Sequence, residues 1–494
     1  MKQTRRIISV LLLIAVSAAA LAACGGDAGT AAAPASTAAQ GGGDAAAETA
    51  AETEPDIADS LRDADYGGSD FHILLEATEY CPMFYTCELT GDVVDDAVYN
   101  RTQYVNEKYN VNIVYTCNPD NWYFSTEFKN MLFAGEGLYD LASGVSLYLM
   151  PAALQGFYLD LKNNDIIQFD QPWYLHHLND SIELGGKMLA VSGFYDMPTL
   201  SRVHCTYFSS KLAEAFGVED LYQIVRDGKW TFEKMISLAE PVSADLDGDG
   251  VWNQETDRYG ITSQWDVLDI AYSGTGFSFL STDGDGNISL TPITQNEVNA
   301  NELLYDLQKN HKELYYSGYD KGGSHKYDEM IQVFTQDRAL FLINTIAYAS
   351  DARLREMGTY GILPVPKYRD DQAEYGAFTS MFLSALPTTC KDPEKSATIL
   401  DALNCFSYRD VYPAYFTIAL SQKFMNDDDS REMLDIVYKN THCDTTYIYA
   451  EHFGTDLALS IGLQKDYMSW YEKNVKKHNK AIDKMTALLA EIPE

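Results

Sequence analysis

Phe71-His72-Ile73-Leu74-Leu75 follows a Gly-Gly-Ser turn and reads as a short, wholly apolar strand of the kind buried on both faces. Asp96–Tyr109 comes next, with Val98, Tyr99, Tyr104, Val105 and Tyr109 at helical spacing, and then Val111-Asn112-Ile113-Val114-Tyr115 reads as a second strand. Strand, helix, strand is the unit of a parallel sheet with helices on its faces, so the fold class is α/β. A further helix is expected around Ser125–Ala134. The run Gly137-Leu138-Tyr139-Asp140-Leu141-Ala142 reads as a third strand of the same sheet.

Upstream, Lys2, Arg5 and Arg6 precede the apolar run LLLIAVSAAALAAC, which closes on Leu21-Ala22-Ala23-Cys24. The run is too short and too Ala-rich at its end to span a membrane, and a small-residue cut site before a cysteine resembles a bacterial lipobox. Residues 1–23 are therefore read as a lipoprotein signal, with Cys24 lipidated in the mature chain on the extracytoplasmic face of the cell membrane. Gly25–Pro55 contains no Val, Ile, Leu, Met or aromatic residue and cannot bury enough apolar surface to offset the entropy of ordering. Residues 24–55 read as a lipidated, disordered tether with an r.m.s. span of about 30 Å.

Of the 494 residues, about 430 follow the tether, which is too many for one ordinary core, so two domains are expected. Lys and Arg total 36 against 72 Asp and Glu. The signal holds three of the bases and no acid, so its removal takes the formal net charge from −36 to −39. Such a surface repels nucleic acid and anionic headgroups, which leaves the lipid anchor as the only expected tie to a membrane. Aromatic residues make up 12% of the chain, with 34 tyrosines and six tryptophans. Their rings suit sugars, whose C–H faces stack while their hydroxyls bond to polar edges, although most must be core. Seven cysteines remain beside Cys24 without metal-like spacing, and only Cys81 and Cys87 are close enough in sequence to suggest a local disulfide.

Several segments, in matching order from about Asp70 to the C-terminus, resemble the extracellular solute-binding proteins of sugar ABC transporters, the family-1 type. Asn106-Glu107-Lys108-Tyr109-Asn110-Val111, the Tyr139-Asp140-Leu141 strand and the Gly156-x-x-x-Asp160-Leu161 ending look like that family's first lobe. Trp230-Thr231-Phe232-Glu233-Lys234-Met235 resembles its Trp-Thr helix start, with Thr231 placed to cap. Phe334–Phe341 resembles its Phe-x-x-Gly-x-Ala segment with Asp337 in place of the glycine, and Gly361-Ile362-Leu363-Pro364-Val365-Pro366 matches its Gly-x-x-Pro-x-Pro strand end. The resemblance implies a two-lobe, periplasmic-binding-protein-like fold of type II with a hinged cleft. It places lobe one at 66–202 plus 376–425 and lobe two at 205–370 plus 430–494. It also implies a monomer that captures a small carbohydrate and delivers it to an ABC permease.

On that layout, candidate ligand residues sit where strand ends face the cleft. They are Glu79 and Tyr80 after the first strand, the aromatic Trp173 beside Tyr174, Asp196 and Arg202 at the first crossing, Trp265, and Asn344 with Tyr348. An Asp196–Arg202 hinge pair is an equal reading of those two, and Trp230 is read as structural. Asp245-Leu246-Asp247-Gly248-Asp249-Gly250, with Asp257 beyond, has the opening of a calcium loop with its closing acid misplaced. Calcium held by Asp245, Asp247, Asp249 and Asp257, or a turn held by side-chain-to-backbone hydrogen bonds, are the two readings. Asp283-Gly284-Asp285-Gly286-Asn287 reads as a hairpin turn.

The chain carries no Gly-x-Ser-x-Gly elbow, His-Glu-x-x-His helix, P-loop or Gly-x-Gly-x-x-Gly. His176-His177 reads as a solvated loop. A non-catalytic binding protein is therefore expected. An anchored enzyme acting on polysaccharide with a spatially assembled carboxylate pair, or a receptor for a peptide or other non-sugar solute, are the alternatives.

Overall fold

Period-two and period-3.6 patterns alternate along the chain, and the computed structural model builds from them two open sheets, with one large apolar cluster running through residues of both and a smaller one within the second. It describes residues 56–76, 81–118, 130–132, 137–264, 272–284, 286–310, 314–317, 327–358, 360–416, 428–453 and 465–493. The leader and tether, and most of the helix expected around Ser125–Ala134, lie outside these residues. None of the described helices is long and apolar enough to cross a membrane.

The first lobe is built on β1 (Ser69–Leu75), β2 (Val111–Cys117), β3 (Leu141–Val145) and β12 (Phe382–Ala385) in the order β12-β3-β1-β2. β1 pairs in parallel with β2 (Phe71 opposite Ile113) and with β3 (Ile73 opposite Leu141), whereas β12 runs antiparallel to β3. Helix α1 (Val93–Tyr109) makes the crossover, three residues earlier in start than its apolar spacing suggests. Asp92 sets that start by accepting from the N–H groups of Val94 and Asp95, and Asn110 ends the helix in the left-handed conformation at φ 47°. The third strand starts at Leu141 rather than Gly137. Gly137 is a turn residue at φ +70°, and at Asp140 the N–H donates to the His72 carbonyl while its carboxylate, in place of a carbonyl, accepts the His72 N–H, each at 2.8 Å.

Past the short helix α2 (Met197–Ser201), the chain crosses to the second lobe. There β4 (His204–Ser209), β5 (Tyr259–Gln264), β8 (Leu314–Ser317), β9 (Ala339–Thr345) and β10 (Tyr360–Leu363) take the order β10-β4-β9-β5-β8. β5 is parallel to β8 and β9, and β4 is antiparallel to both of its neighbours. Helices α3 (Phe232–Ala239), α4 (Gln295–Asn310) and α5 (Tyr327–Thr335) belong to this lobe. Its core includes Phe208, Trp230, Ile261, Leu304, Phe341 and Leu363. Trp230 is fully buried and donates its indole N–H to the Pro364 carbonyl at 2.9 Å, and Thr231 caps α3 at the Lys234 N–H, the structural roles expected of both. The β6 (Leu280–Thr282) and β7 (Ile288–Leu290) strands form the expected hairpin, with Gly286 at φ +82° in its turn.

The chain returns through β11 (Ala377–Phe378) to β12 and then to α6 (Pro393–Phe406), crosses to α7 (Asp428–Lys439), and comes back to pair β13 (Thr441–His442) in parallel with β11. The long α8 (Tyr467–Glu491) ends the described chain. Cys87 is a free, exposed cysteine, while Cys117 is disulfide-bonded, which corrects the local Cys81–Cys87 pairing.

Candidate functional site

Open parallel sheets bind ligands beyond the carboxyl ends of their strands, where side chains and loops replace the ladder. Here the carboxyl ends of both sheets flank the same crossing segments. At the end of β3, the Ser146 N–H donates to the Met381 carbonyl at 2.7 Å, and at the end of β9 the Ile346 N–H donates to the Val203 carbonyl at 2.8 Å. The Tyr207 hydroxyl donates to the Thr345 and Ile346 carbonyls, and the Thr379 hydroxyl to the Thr199 carbonyl at 2.7 Å. The first crossing and the return crossing are thereby knitted side by side.

His204 sits in that knot, fully buried, with Nδ1 at 3.1 Å from the Phe378 carbonyl. A carbonyl only accepts, so Nδ1 carries the proton of a neutral ring. Burial, with Arg202 nearby adding to it, pushes the His204 pKa down to about 3 against the opposing pull of that hydrogen bond.

The candidate residues divide sharply. Glu79, Tyr80 and Trp265 lie outside the described residues. Arg202 is half-buried at the crossing. Tyr348 is half-buried in the 3-10 turn Ile346–Ser350, directly beyond β9, so these two stay at the strand-end site.

Three candidates point elsewhere. Trp173 is fully buried and donates its indole N–H to Asp401 at 3.0 Å, as does the Tyr174 hydroxyl, so this pair is core and not a stacking platform. Asp196 is fully buried and accepts from the Ser384 hydroxyl at 2.8 Å and the Gly193 N–H at 3.2 Å, which replaces both the cleft role and the pairing with Arg202. Burial raises its pKa well above the ordinary carboxylate value. Asn344 turns inward, its amide against Met330 of α5 and its carbonyl oxygen accepting the Thr345 N–H at 2.7 Å.

Two features escaped the sequence reading. Glu76, the first residue past β1, is buried beside Gly144, where a Cβ would come within 2.2 Å of the glutamate's own. An aromatic run also leads from the first lobe to the second. Phe194 meets Tyr408 and Tyr412 edge-on at 4.8 Å each, Tyr412 meets Phe416 at 5.1 Å, and Phe416 meets Tyr438 of α7 at 5.4 Å. All but Phe194 are half-buried, and Tyr408 lies in a π-helical turn (Ser407–Val411), a rare geometry that recurs at functional sites. These residues are spread over more than two hundred positions, and only the residue next to a strand end carries a local signal.

The acidic loop lies at the opposite end of the second lobe, before the amino end of β5. Asp245, Asp247 and Asp257 bring carboxylate oxygens within 4.8 Å of one another, and Asp249 stands outside that group. The loop is laced by side-chain-to-backbone bonds: Asp245 accepts from Gly248 and Gly250, Asp249 from Val251, and Asp257 from Leu246 and Asn253. The Gly250 N–H is the chief reason that Asp245 is held below the ordinary carboxylate value. His176 and His177 are exposed, as expected, but they open a helix, His176–Ile182, instead of lying in a loop.

No protein-family model and no curated protein sequence matches the chain. Solved structures do match its fold. The galacto-N-biose-/lacto-N-biose I-binding protein of the ABC transporter from Bifidobacterium longum, in complex with lacto-N-biose, is similar with a TM-score of 0.55 at 13% identity, over 85% of this chain and 98% of that one. An ABC substrate-binding protein from Listeria monocytogenes in complex with cycloalternan gives 0.53 at 12%, over 85% and 99%. An ABC transporter solute-binding protein from Thermotoga lettingae bound with α-D-tagatose gives 0.51 at 12%, over 85% and 100%. At these identities the likeness establishes the fold: two α/β lobes of the solute-binding-protein type, as the sequence motifs imply.

Proposed function

We propose that this chain is a solute receptor of an ABC transporter, that it holds a sugar or oligosaccharide between its lobes, and that it hands the cargo to a membrane permease. The observation that carries the reading is the convergence of both sheets' carboxyl ends on one set of crossing segments. That arrangement leaves the strand-end groups of two lobes facing a shared gap. The half-buried Arg202 and Tyr348, with the aromatic run Tyr408, Tyr412, Phe416 and Tyr438, offer hydrogen-bonding edges and apolar faces of the kind sugars need. The solved structures of the same fold named above carry saccharides, which supports this ligand class. The lipobox-like Leu21–Cys24 supports tethering through lipidated Cys24, outside the membrane. The cycle is a binding equilibrium without bond chemistry, in which ligand shifts open lobes toward closed ones.

A thermal-shift and calorimetry screen of residues 56–494 tests this, with lacto-N-biose, cycloalternan, D-tagatose and maltotriose as probes, each with and without calcium. Binding at a hundredfold excess over Kd stabilises the folded state by about 2.7 kcal/mol, a clear rise in midpoint. A stabilising sugar recovered intact is the expected result. A cleaved sugar moves the protein to the polysaccharide-acting enzymes, and no shift with any saccharide moves it to receptors for other solutes.

A further inference from the structure

Helix α8 is 25 residues long, about 37 Å at 1.5 Å per residue, and its two halves are buried against different lobes. At its amino-terminal end Tyr467 is buried, Trp470 and Tyr471 are half-buried, and Met468 is exposed. This end lies against the first turn of α4, whose Leu304 and Leu307 belong to the second lobe's core. Glu297, in the first turn of α4, lies near enough to Tyr467 and Tyr471 to add to the effect of burial on both hydroxyls.

The carboxyl-terminal half is anchored differently. Ile482, Met485, Leu489 and, just past the helix, Ile492 are all buried. Leu489 fills the space over Gly185, where a Cβ would come within 2.9 Å of it, and Lys187 reaches the Pro493 carbonyl at 3.4 Å. Gly185 and Lys187 belong to a turn beside β12, so this end is seated on the first lobe. The hairpin turn of the second lobe lies against the same first-lobe turn, with Gly286 close to Gly186.

A rigid helix fixed to both lobes opposes their separation, and one of its ends must let go when they part. The carboxyl-terminal end has four buried apolar side chains, with Leu489 seated over the first-lobe turn. The second-lobe end has one buried tyrosine flanked by half-buried rings. We propose that α8 is a strut between the lobes: its amino-terminal end peels from α4 when the lobes open, while its carboxyl-terminal end stays on the first lobe. This rests on the receptor reading only in taking lobe separation as the working motion.

Hydrogen–deuterium exchange on the mature chain without ligand tests the strut. Interior amides of 471–477 are expected to exchange at least tenfold faster than those of 480–486. Tyr467→Ala should speed exchange further in 471–477 and 295–301, leave 480–486 and 71–75 unchanged, and raise the radius of gyration measured by small-angle scattering. The milder Trp470→Leu should act in the same direction, which covers a Tyr467→Ala variant that does not fold. Equal protection along the helix, or faster exchange throughout the chain in both variants, overturns the proposal. So does a screened saccharide that raises the thermal midpoint without slowing exchange at 471–477, an outcome that leaves the receptor reading standing. Fast exchange at 471–477 with no response to any saccharide supports the strut and overturns the receptor reading instead.

Discussion

Asp401 collects the indole N–H of Trp173, the hydroxyl of Tyr174 and the side-chain amide of Gln168 in the first lobe's interior. Burial raises its pKa, yet each of those donors favours the carboxylate, so the site is a polar knot whose members depend on one another. Asp401→Ala strands the donors in an apolar core and is expected to cost about 3 kcal/mol or more in a urea melt, whereas Asp401→Asn, which keeps one acceptor oxygen, should cost clearly less. Neither should alter the affinity for a stabilising saccharide, because Trp173 is no part of the strand-end site. Asp337 makes a different point. It stands where the resembled Phe-x-x-Gly-x-Ala pattern has glycine, and its backbone adopts φ +56°, the left-handed region that glycine enters freely, while its carboxylate pairs with Lys211 at 2.5 Å. Asp337→Val should lose about 1–2 kcal/mol in the same melt, since a β-branched residue is strained there. Asp337→Gly should be close to neutral, relief of strain being offset by the freer unfolded chain.

At the scale of elements, local chemistry was readable wherever the signal is local. Thr231 caps α3 as its position before Phe232 implies, and Thr231→Ala is expected to cost about 1 kcal/mol, with amide exchange rising first at Phe232–Met235. The Asp-Gly-rich run at 283–287 turns a hairpin because its glycines allow positive φ, and the apolar spacing of 96–109 places α1 to within a turn. Strand starts were less readable. Gly137–Asp140 has a strand's composition, but Gly137 turns at positive φ and Asp140 meets His72 with its carboxylate in place of a backbone carbonyl, so the regular ladder begins only at Leu141. The ligand candidates show the limit. Trp173, Asp196 and Asn344 have the residue types of a sugar site, yet all three side chains are buried with protein partners. Composition and neighbourhood in sequence cannot say which side of a strand end faces the core.

For the whole molecule, the knot of crossing segments links folding to pH through His204. Its folded pKa of about 3 lies below the ordinary value of about 6.5, so above pH 6.5 the ring is neutral in both states and its contribution is intact. As pH falls below 6.5 the unfolded chain takes up a proton that the folded chain refuses, and stability declines by about 1.4 kcal/mol per pH unit from this site alone, until the pH nears 3. His442, paired through β13 to β11 beside it, is pushed in the same direction by burial. His204→Asn, whose amide can replace the Nδ1 donor, should lose about 2 kcal/mol less than the parent between pH 6.5 and pH 5 in matched urea melts. An equal loss in both proteins would remove His204 as the cause.

The sequence by itself determined the α/β class, the strand–helix–strand start, the capped helices, the hairpin and the order of motifs that points to two lobes. Each element in this list depends on residues close in sequence, where backbone preference and periodic burial act directly, and the order of motifs is read off the chain itself. Tertiary structure alone decided which aromatic and acidic residues are core and which are left half-buried. It also decided that an aromatic run links positions 194, 408, 412, 416 and 438, and that α8 lies on both lobes. These depend on groups hundreds of residues apart sharing buried space, and whether a polar group is buried with a partner or left at a surface is settled only when the whole chain has closed around it.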